Sequence, residues 1–205
     1  MSKLYFRYGA MNCGKTTNLL QVAHNYEERG MRVVIIKPKT DTKGADTVVS
    51  RLGIKRKVDY MYSKEDDIIS IIRKDIVNHN KYLSCVLVDE VQFSSKEHID
   101  QLLKIAISYN IPVICYGLRT DFQMKGFEGS ERLLAIAHSL EELKTICGCG
   151  KKAIYNVRFV NNKAVFDGDQ VVIDNNDKVE YRSVCGECYY KIKNHRERMD
   201  ILNER

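Results

Sequence analysis

Eight residues near the start of the chain, Gly9-Ala10-Met11-Asn12-Cys13-Gly14-Lys15-Thr16, have the types and spacing of a phosphate cradle. They fit G-x-x-x-x-G-K-[ST] at every fixed position, with strand-like residues 3 to 8 before and a helical pattern after. Two glycines let the backbone fold tightly, so that successive N–H groups point inward at phosphate oxygens. Lys15 can reach the β- and γ-phosphates and the Thr16 hydroxyl can ligate Mg²⁺. The N-terminus of the following helix adds the positive end of its dipole. The motif points to a nucleoside triphosphate but does not say what happens to the phosphate.

A second set of residues belongs to the same chemistry. Cys85-Val86-Leu87-Val88-Asp89-Glu90 is an apolar strand that ends in two acids. In P-loop proteins an Asp at that point holds Mg²⁺ directly or through water. The acid beside it can polarise water in an ATPase. In a kinase it can take the proton from an attacking hydroxyl. Glu90 as a residue type fits both.

Cys147-Gly148-Cys149 and Cys185-Gly186-Glu187-Cys188 form two cysteine pairs with 35 residues between them. Four thiolates suit a tetrahedral structural zinc, although the C-x-C pair is tighter than usual. A redox-active C-x-x-C is the competing reading, but the thioredoxin-like context is absent. Cys85 and Cys115 lie on apolar strands and read as core, and the Cys13 thiol has no required role in a loop that works through its amides. The five histidines are scattered and read as surface or packing residues.

The elements that must position these groups alternate. A helical pattern from Thr17 to Arg29 places Leu19, Leu20, Ala23 and Tyr26 on one face, and Gly30 follows where a helix end favours glycine. Residues 31 to 36 form a buried strand ended by Lys37-Pro38. Polar residues 39 to 60 read as a long irregular loop, a length usually reserved for function or mobility. Ser63 with Asp66 is expected to open a helix carrying Ile68, Ile72 and Ile76. A strand from Ser84 to Val88 follows, and Ser94 with Glu97 has capping-box spacing for a helix to about Tyr109. Ile111 to Tyr116 is a third strand. This order argues for a mostly parallel sheet covered on both faces. Beyond Thr145 the character changes to paired cysteines, Asn and Asp turns, short alternating strands such as Asn156 to Val160, and a charged helix from about Tyr189 to Asn203. A small second domain is the expectation, with zinc tying its two ends and a long excursion able to close over a substrate.

Bulk properties bound the alternatives. With 33 basic and 27 acidic residues the charge is mildly positive, too weakly so to argue for nucleic acid. A hydrophobic fraction of 44% supports a real core. No run of about 18 apolar residues suggests a membrane span. Strand and motif at the N-terminus leave no room for a signal peptide, and cysteines used as thiols and metal ligands fit the cytosol.

Together these residues resemble the type II thymidine kinases, over nearly the whole chain. The resemblance rests on the cradle, on Ser50-Arg51-Leu52-Gly53, on Val88-Asp89-Glu90-Val91-Gln92-Phe93 and on Tyr116-Gly117-Leu118-Arg119-Thr120-Asp121-Phe122. It continues through Leu143-Lys144-Thr145-Ile146-Cys147, Gln170-Val171-Val172-Ile173 and Tyr181-Arg182-Ser183-Val184-Cys185. It implies a RecA-like P-loop α/β domain over residues 1–146, a zinc-binding lasso domain over 147–205, and a homotetramer. It implies transfer of the ATP γ-phosphate to the 5′-hydroxyl of thymidine, with feedback by dTTP, Mg²⁺ and structural Zn²⁺ as cofactors, a cytoplasmic location, and no membrane or nucleic-acid partner. By the same resemblance Glu90 is the general base. Gly9 to Thr16, Asp89 and Gln92 form the ATP side, with Thr16 and Asp89 toward Mg²⁺. Met11, Phe93, Leu118, Phe122, Phe127, Asn156, Val172 and Tyr181 meet the nucleoside, and Cys147, Cys149, Cys185 and Cys188 hold zinc.

The chain departs from the family pattern at Asp174-Asn175, where Gly-Gly is usual, and at Asn156, where Thr is more common. Asp41, Lys43 and Arg51 are candidate phosphate-side residues, with solvated loop charges as the equal alternative. Two other functions compete with the kinase. One is a P-loop ATPase whose zinc module binds nucleic acid; the other is a zinc-ribbon interaction module with a degenerate ATP site. Intact Lys15, Thr16, Asp89 and Glu90 argue against the latter.

Overall fold

Alternation in the first strand sets the layers of the molecule. Leu4 and Phe6 are fully buried on one face, while Tyr5 packs into a separate cluster on the other. The computed structural model describes residues 1–39, 46–170 and 178–203, with side chains to residue 196. In chain order the elements are β1 (Leu4–Tyr8), α1 (Lys15–Glu27), β2 (Arg32–Pro38), β3 (Thr47–Val49), β4 (Lys55–Lys57), β5 (Tyr60–Tyr62) and α2 (Ile68–His79). They continue with β6 (Leu83–Val88), a 3₁₀ turn at Val91–Phe93, α3 (Lys96–Ser108), β7 (Val113–Gly117), α4 (Glu128–Ile136) and β8 (Ser139–Glu142). The last are β9 (Thr145–Ile146), β10 (Lys152–Ala153), β11 (Tyr155–Val160), β12 (Lys163–Val165), β13 (Val179–Val184) and α5 (Gly186–Asn203).

Among the described residues, six strands form a parallel sheet in the order β5-β2-β6-β7-β1-β8. The expected α/β class with a mostly parallel sheet is therefore observed. One face carries α2, α3 and α4, with Ile72, Ile99, Leu102 and Leu133 buried against Phe6, Val86 and Val88. The other carries α1, whose Leu19 and Ala23 meet Val33, Ile35 and Leu87. Each fully buried Leu or Ile contributes about 1.5–3 kcal/mol relative to exposure. Both helices and strands thus aim the C-terminal ends of β1, β6 and β7 at one edge, where the Gly9 loop and the Asp89-Glu90 pair emerge.

Four sequence expectations shift. Residues 39 to 60 are not an irregular loop throughout: β3 and β4 form a hairpin with Gly53 in a left-handed turn (φ 85°), and β5 joins the main sheet. Ser63 and Asp66 make a local turn in which the Ser63 N–H and hydroxyl donate to Asp66 Oδ2 at 2.6 and 2.7 Å. The helix begins later, capped by Asp67, which accepts from the Ile69 N–H. Likewise α3 is capped by Ser95 with His98, not Ser94 with Glu97, because the Ser94 hydroxyl bonds to the Tyr62 hydroxyl at 2.7 Å. Finally, α5 starts at Gly186, three residues before the expected Tyr189.

Beyond β8, β11 is the centre of an antiparallel sheet ordered β12-β11-β13. A third apolar cluster joins Val157, Phe159, Val184 and Tyr189 to Cys147 and Cys185. Among the described residues no helix is long and apolar enough to cross a membrane.

Candidate active site

The cradle closes tightly between β1 and α1. A Cβ at Gly9 would lie 2.4 Å from the Leu143 carbonyl oxygen and 2.6 Å from Cys13 Sγ, so only glycine fits there. Gly14 precedes α1 in the left-handed region (φ 80°), and Asn12 (φ 67°) shares it. Lys15 Nζ donates across the loop to the carbonyls of Gly9 (3.2 Å) and Ala10 (3.0 Å). Residues Met11 to Thr16 line a cleft of about 830 Å³, together with Glu90, Leu118, Leu143 and the hairpin residues Val49, Arg51 and Leu52. Arg51 therefore borders the phosphate side, while Asp41 and Lys43 lie outside the described residues.

Asp89 and Glu90 leave the end of β6 beside this cleft. Asp89 is 5% exposed; burial, and then the neighbouring Glu90 carboxylate, push its carboxyl up to about 7, only partly offset by Lys37 and Lys15. Such an undercompensated buried carboxylate fits a cation partner, with the Thr16 hydroxyl lining the same cleft. Glu90 has a left-handed backbone (φ 50°, ψ 36°), uncommon for a residue other than glycine and concentrated at functional sites. Gln92, expected on the ATP side, does not line the phosphate cleft; it is buried and turned inward. Its Nε2 donates to Glu90 Oε2 at 2.5 Å, and its Oε1 accepts from the Leu118 N–H at 3.1 Å. The second bond fixes which end of the amide is the donor, so Gln92 holds Glu90 through an acceptor oxygen.

A second, aromatic cavity of about 180 Å³ adjoins the first. Met11, Phe93, Leu118, Phe122, Phe127, Asn156 and Tyr181, the described residues expected at the nucleoside, all line it. Val172 lies outside the described residues, as does the Asp174-Asn175 turn. Phe93 and Phe127 meet edge to face, with ring centroids 5.6 Å apart. Met11 and Leu118 border both cavities. Met11 is also tied to the C-terminal sheet: its N–H donates to Asn156 Oδ1 at 2.9 Å and its carbonyl accepts from the Ser183 hydroxyl. The Met11 amide is thus engaged away from the phosphates. Asp121 and Gln170 line the cavity as well and were not foreseen; each falls inside a family-like segment, but neither has a spacing that signals a role.

The four cysteines converge. Their sulfurs all lie within 4.8 Å of one another, with Cys149 Sγ and Cys185 Sγ 3.6 Å apart. Four thiolates around zinc at about 2.3 Å would place their sulfurs about 3.8 Å apart, so this arrangement fits a tetrahedral ion. The four thiols act on one another: the Cys149 main chain draws the Cys147 thiol down to about 6, while the Cys149, Cys185 and Cys147 sulfurs push Cys188 up to about 12, so the crowded sulfurs share their protons and need a cation to ionise together. From this knuckle α5 carries Tyr189, whose hydroxyl donates to the Phe122 carbonyl at 2.8 Å.

A parallel sheet with a glycine-rich cradle at the end of its first strand, and two acids at the end of β6, defines a P-loop nucleotide-binding protein of the α/β class. The family model described as thymidine kinase matches residues 2–189. The chain is 48% identical over 204 residues to a thymidine kinase of Xanthomonas campestris, covering 98% of this chain and 96% of that protein. It is 44% identical over 190 residues to one of Francisella tularensis (90% and 95%) and 43% identical over 196 residues to one of Lactobacillus acidophilus (93% and 97%). The chain belongs to the thymidine kinase family.

Proposed function

We propose that the protein transfers the γ-phosphate of ATP to the 5′-hydroxyl of thymidine. The observation that carries this reading is the shared wall: Met11 and Leu118 border both cavities, and Glu90 stands in the phosphate cleft beside them. A hydroxyl presented from the aromatic side would meet the donor phosphate within reach of Glu90. Phosphoryl transfer needs alignment and charge stabilisation more than covalent chemistry, and this arrangement supplies both.

In this reading Glu90 accepts the hydroxyl proton through the oxygen not held by Gln92. Lys15 exchanges its two loop carbonyls for phosphate oxygens, and the cradle amides other than that of Met11 complete the set. Thr16 and Asp89 would hold Mg²⁺, which supplies charge neutralisation on the phosphates. Phe93, Phe127 and Tyr181 provide flat apolar faces for a base, and Asn156 orients the Met11 loop. Cys147, Cys149, Cys185 and Cys188 would hold a structural zinc that fixes the start of α5 and, through Tyr189, the Phe122 loop. We place the boundary between the P-loop domain (1–146) and the zinc-binding lasso domain (147–205) at residues 146 and 147. A homotetramer, feedback by dTTP and a cytoplasmic location complete the proposal and rest on the family.

The test is labelled-phosphate transfer from ATP to thymidine, with deoxycytidine and deoxyuridine as controls. Thymidine-dependent formation of the monophosphate is expected. No nucleoside product, together with DNA-stimulated ATP hydrolysis, would replace the kinase with a nucleic-acid-dependent ATPase.

A further inference from the structure

Arg158 sits in the middle of β11 and is 2% exposed, yet among the described residues its contacts are not with a carboxylate. The guanidinium carbon lies 3.6 Å from the centre of the Phe122 ring and 5.7 Å from that of Tyr181. Nε donates to the Tyr181 hydroxyl at 3.1 Å, and Nη2 to the carbonyls of Asp169 (2.5 Å) and Gln170 (3.2 Å). Taking a charge out of water is expensive unless dipoles or π faces replace its hydration. Here ring faces, a tyrosine hydroxyl and main-chain carbonyls do so.

Three of those partners, Phe122, Gln170 and Tyr181, line that cavity. The strand explains how one side chain reaches them. Arg158 is paired across the sheet with Tyr181, so both project to the same face. Asn156, two residues earlier, shares that face and holds the Met11 N–H. Along one strand, Asn156 therefore secures Met11, and Arg158 secures Phe122, Tyr181 and Gln170, all of them lining residues of the cavity.

We infer that Arg158 is a positioning residue for the nucleoside: its planar fork fixes the Phe122 ring, the Tyr181 hydroxyl and the Gln170 main chain, and so sets affinity for thymidine independently of affinity for ATP. The inference rests on the reading of the aromatic cavity as the nucleoside pocket. Lysine cannot substitute, because an ammonium has no planar face to stack and no rigid fork to span a hydroxyl and two carbonyls.

The experiment is steady-state kinetics of R158K, with thymidine and ATP varied in turn and the melting temperature measured alongside. A thymidine KM raised about tenfold to a hundredfold, with the ATP KM within about twofold of wild type, is expected. Wild-type values for both substrates would overturn the role. So would an equal loss toward both substrates with a lowered melting temperature, since that marks general loosening. If R158K does not accumulate folded, Tyr181→Phe removes the hydroxyl that accepts Nε; an unchanged thymidine KM in that variant overturns the inference equally. Wild-type turnover in the same assay separates the two proposals. Its absence defeats the proposed reaction, whereas normal wild-type turnover with an unaltered R158K defeats only the role of Arg158.

Discussion

The phosphate cradle and the aromatic cavity are built on opposite principles. The cradle is local: eight consecutive residues, two of them glycines in places a side chain could not occupy or would strain, form most of it. The cavity is assembled from Met11, the 3₁₀ turn, the segment after β7, β11 and β13, which no stretch of sequence brings together. Its walls are held by long-range hydrogen bonds, in which the Met11 N–H donates to Asn156, the Tyr189 hydroxyl to the Phe122 carbonyl and the Leu118 N–H to Gln92. A site made of backbone in one turn tolerates changes elsewhere in the fold, while one made of distant side chains depends on every anchor. Acceptor binding should therefore be the more fragile of the two functions.

That contrast can be broken most severely at the point where the two regions meet. Glu90→Gln keeps the shape and the link to Gln92 while removing the basic oxygen. We expect kcat to fall by about 10²–10⁴-fold with both KM values nearly unchanged; near-normal turnover in rapid-quench assays would remove Glu90 as the base. Cys185→Ser tests the dependence on distant anchors. Bound zinc, read by elemental analysis, should drop from one per chain, and thymidine affinity by about tenfold or more, while a fluorescent ATP analogue still binds within about threefold. Equal loss of both ligands would erase the contrast. Gln92→Leu is the finer probe, because it leaves the Leu118 N–H and Glu90 without their partner. A stability loss of about 1–3 kcal/mol in urea unfolding is expected, with kcat down about tenfold. An effect on ATP affinity alone would return Gln92 to the phosphate side.

The same contrast governs what the sequence disclosed. The cradle, the acids after β6, the alternating strands and the cysteine pairs are local patterns, and the structure brings each set together. Errors arose where a distant group competed for a local one. Ser94 has the cap spacing, but Tyr62, arriving from β5, takes its hydroxyl and leaves Ser95 to cap α3. Helix α4 went unforeseen because its N-terminal neighbour, Phe127, gives no side-chain cap. It is held instead by the Ser130 hydroxyl on the Leu118 carbonyl, and by Gly129, where a Cβ would lie 2.6 Å from the Val91 carbonyl oxygen. Gln92 could be read as part of a motif, but its inward turn follows from Leu118 and is invisible in sequence. The same holds for Arg158, which reads as one more basic residue on a strand until its partners are in place.

The left-handed backbone at Glu90 carries one more consequence. A residue with a Cβ held there is less stable than glycine by about 1–2 kcal/mol. The chain thus keeps a residue that opposes its own folding at the position proposed for proton removal. Glu90→Gly should yield an inactive protein that melts about 2–4 °C higher per kcal/mol released; a lower melting temperature would mean that the bond to Gln92 outweighs the backbone term. If the gain is found, selection for endurance alone would drive this enzyme toward silence, and the acid persists only because turnover is required.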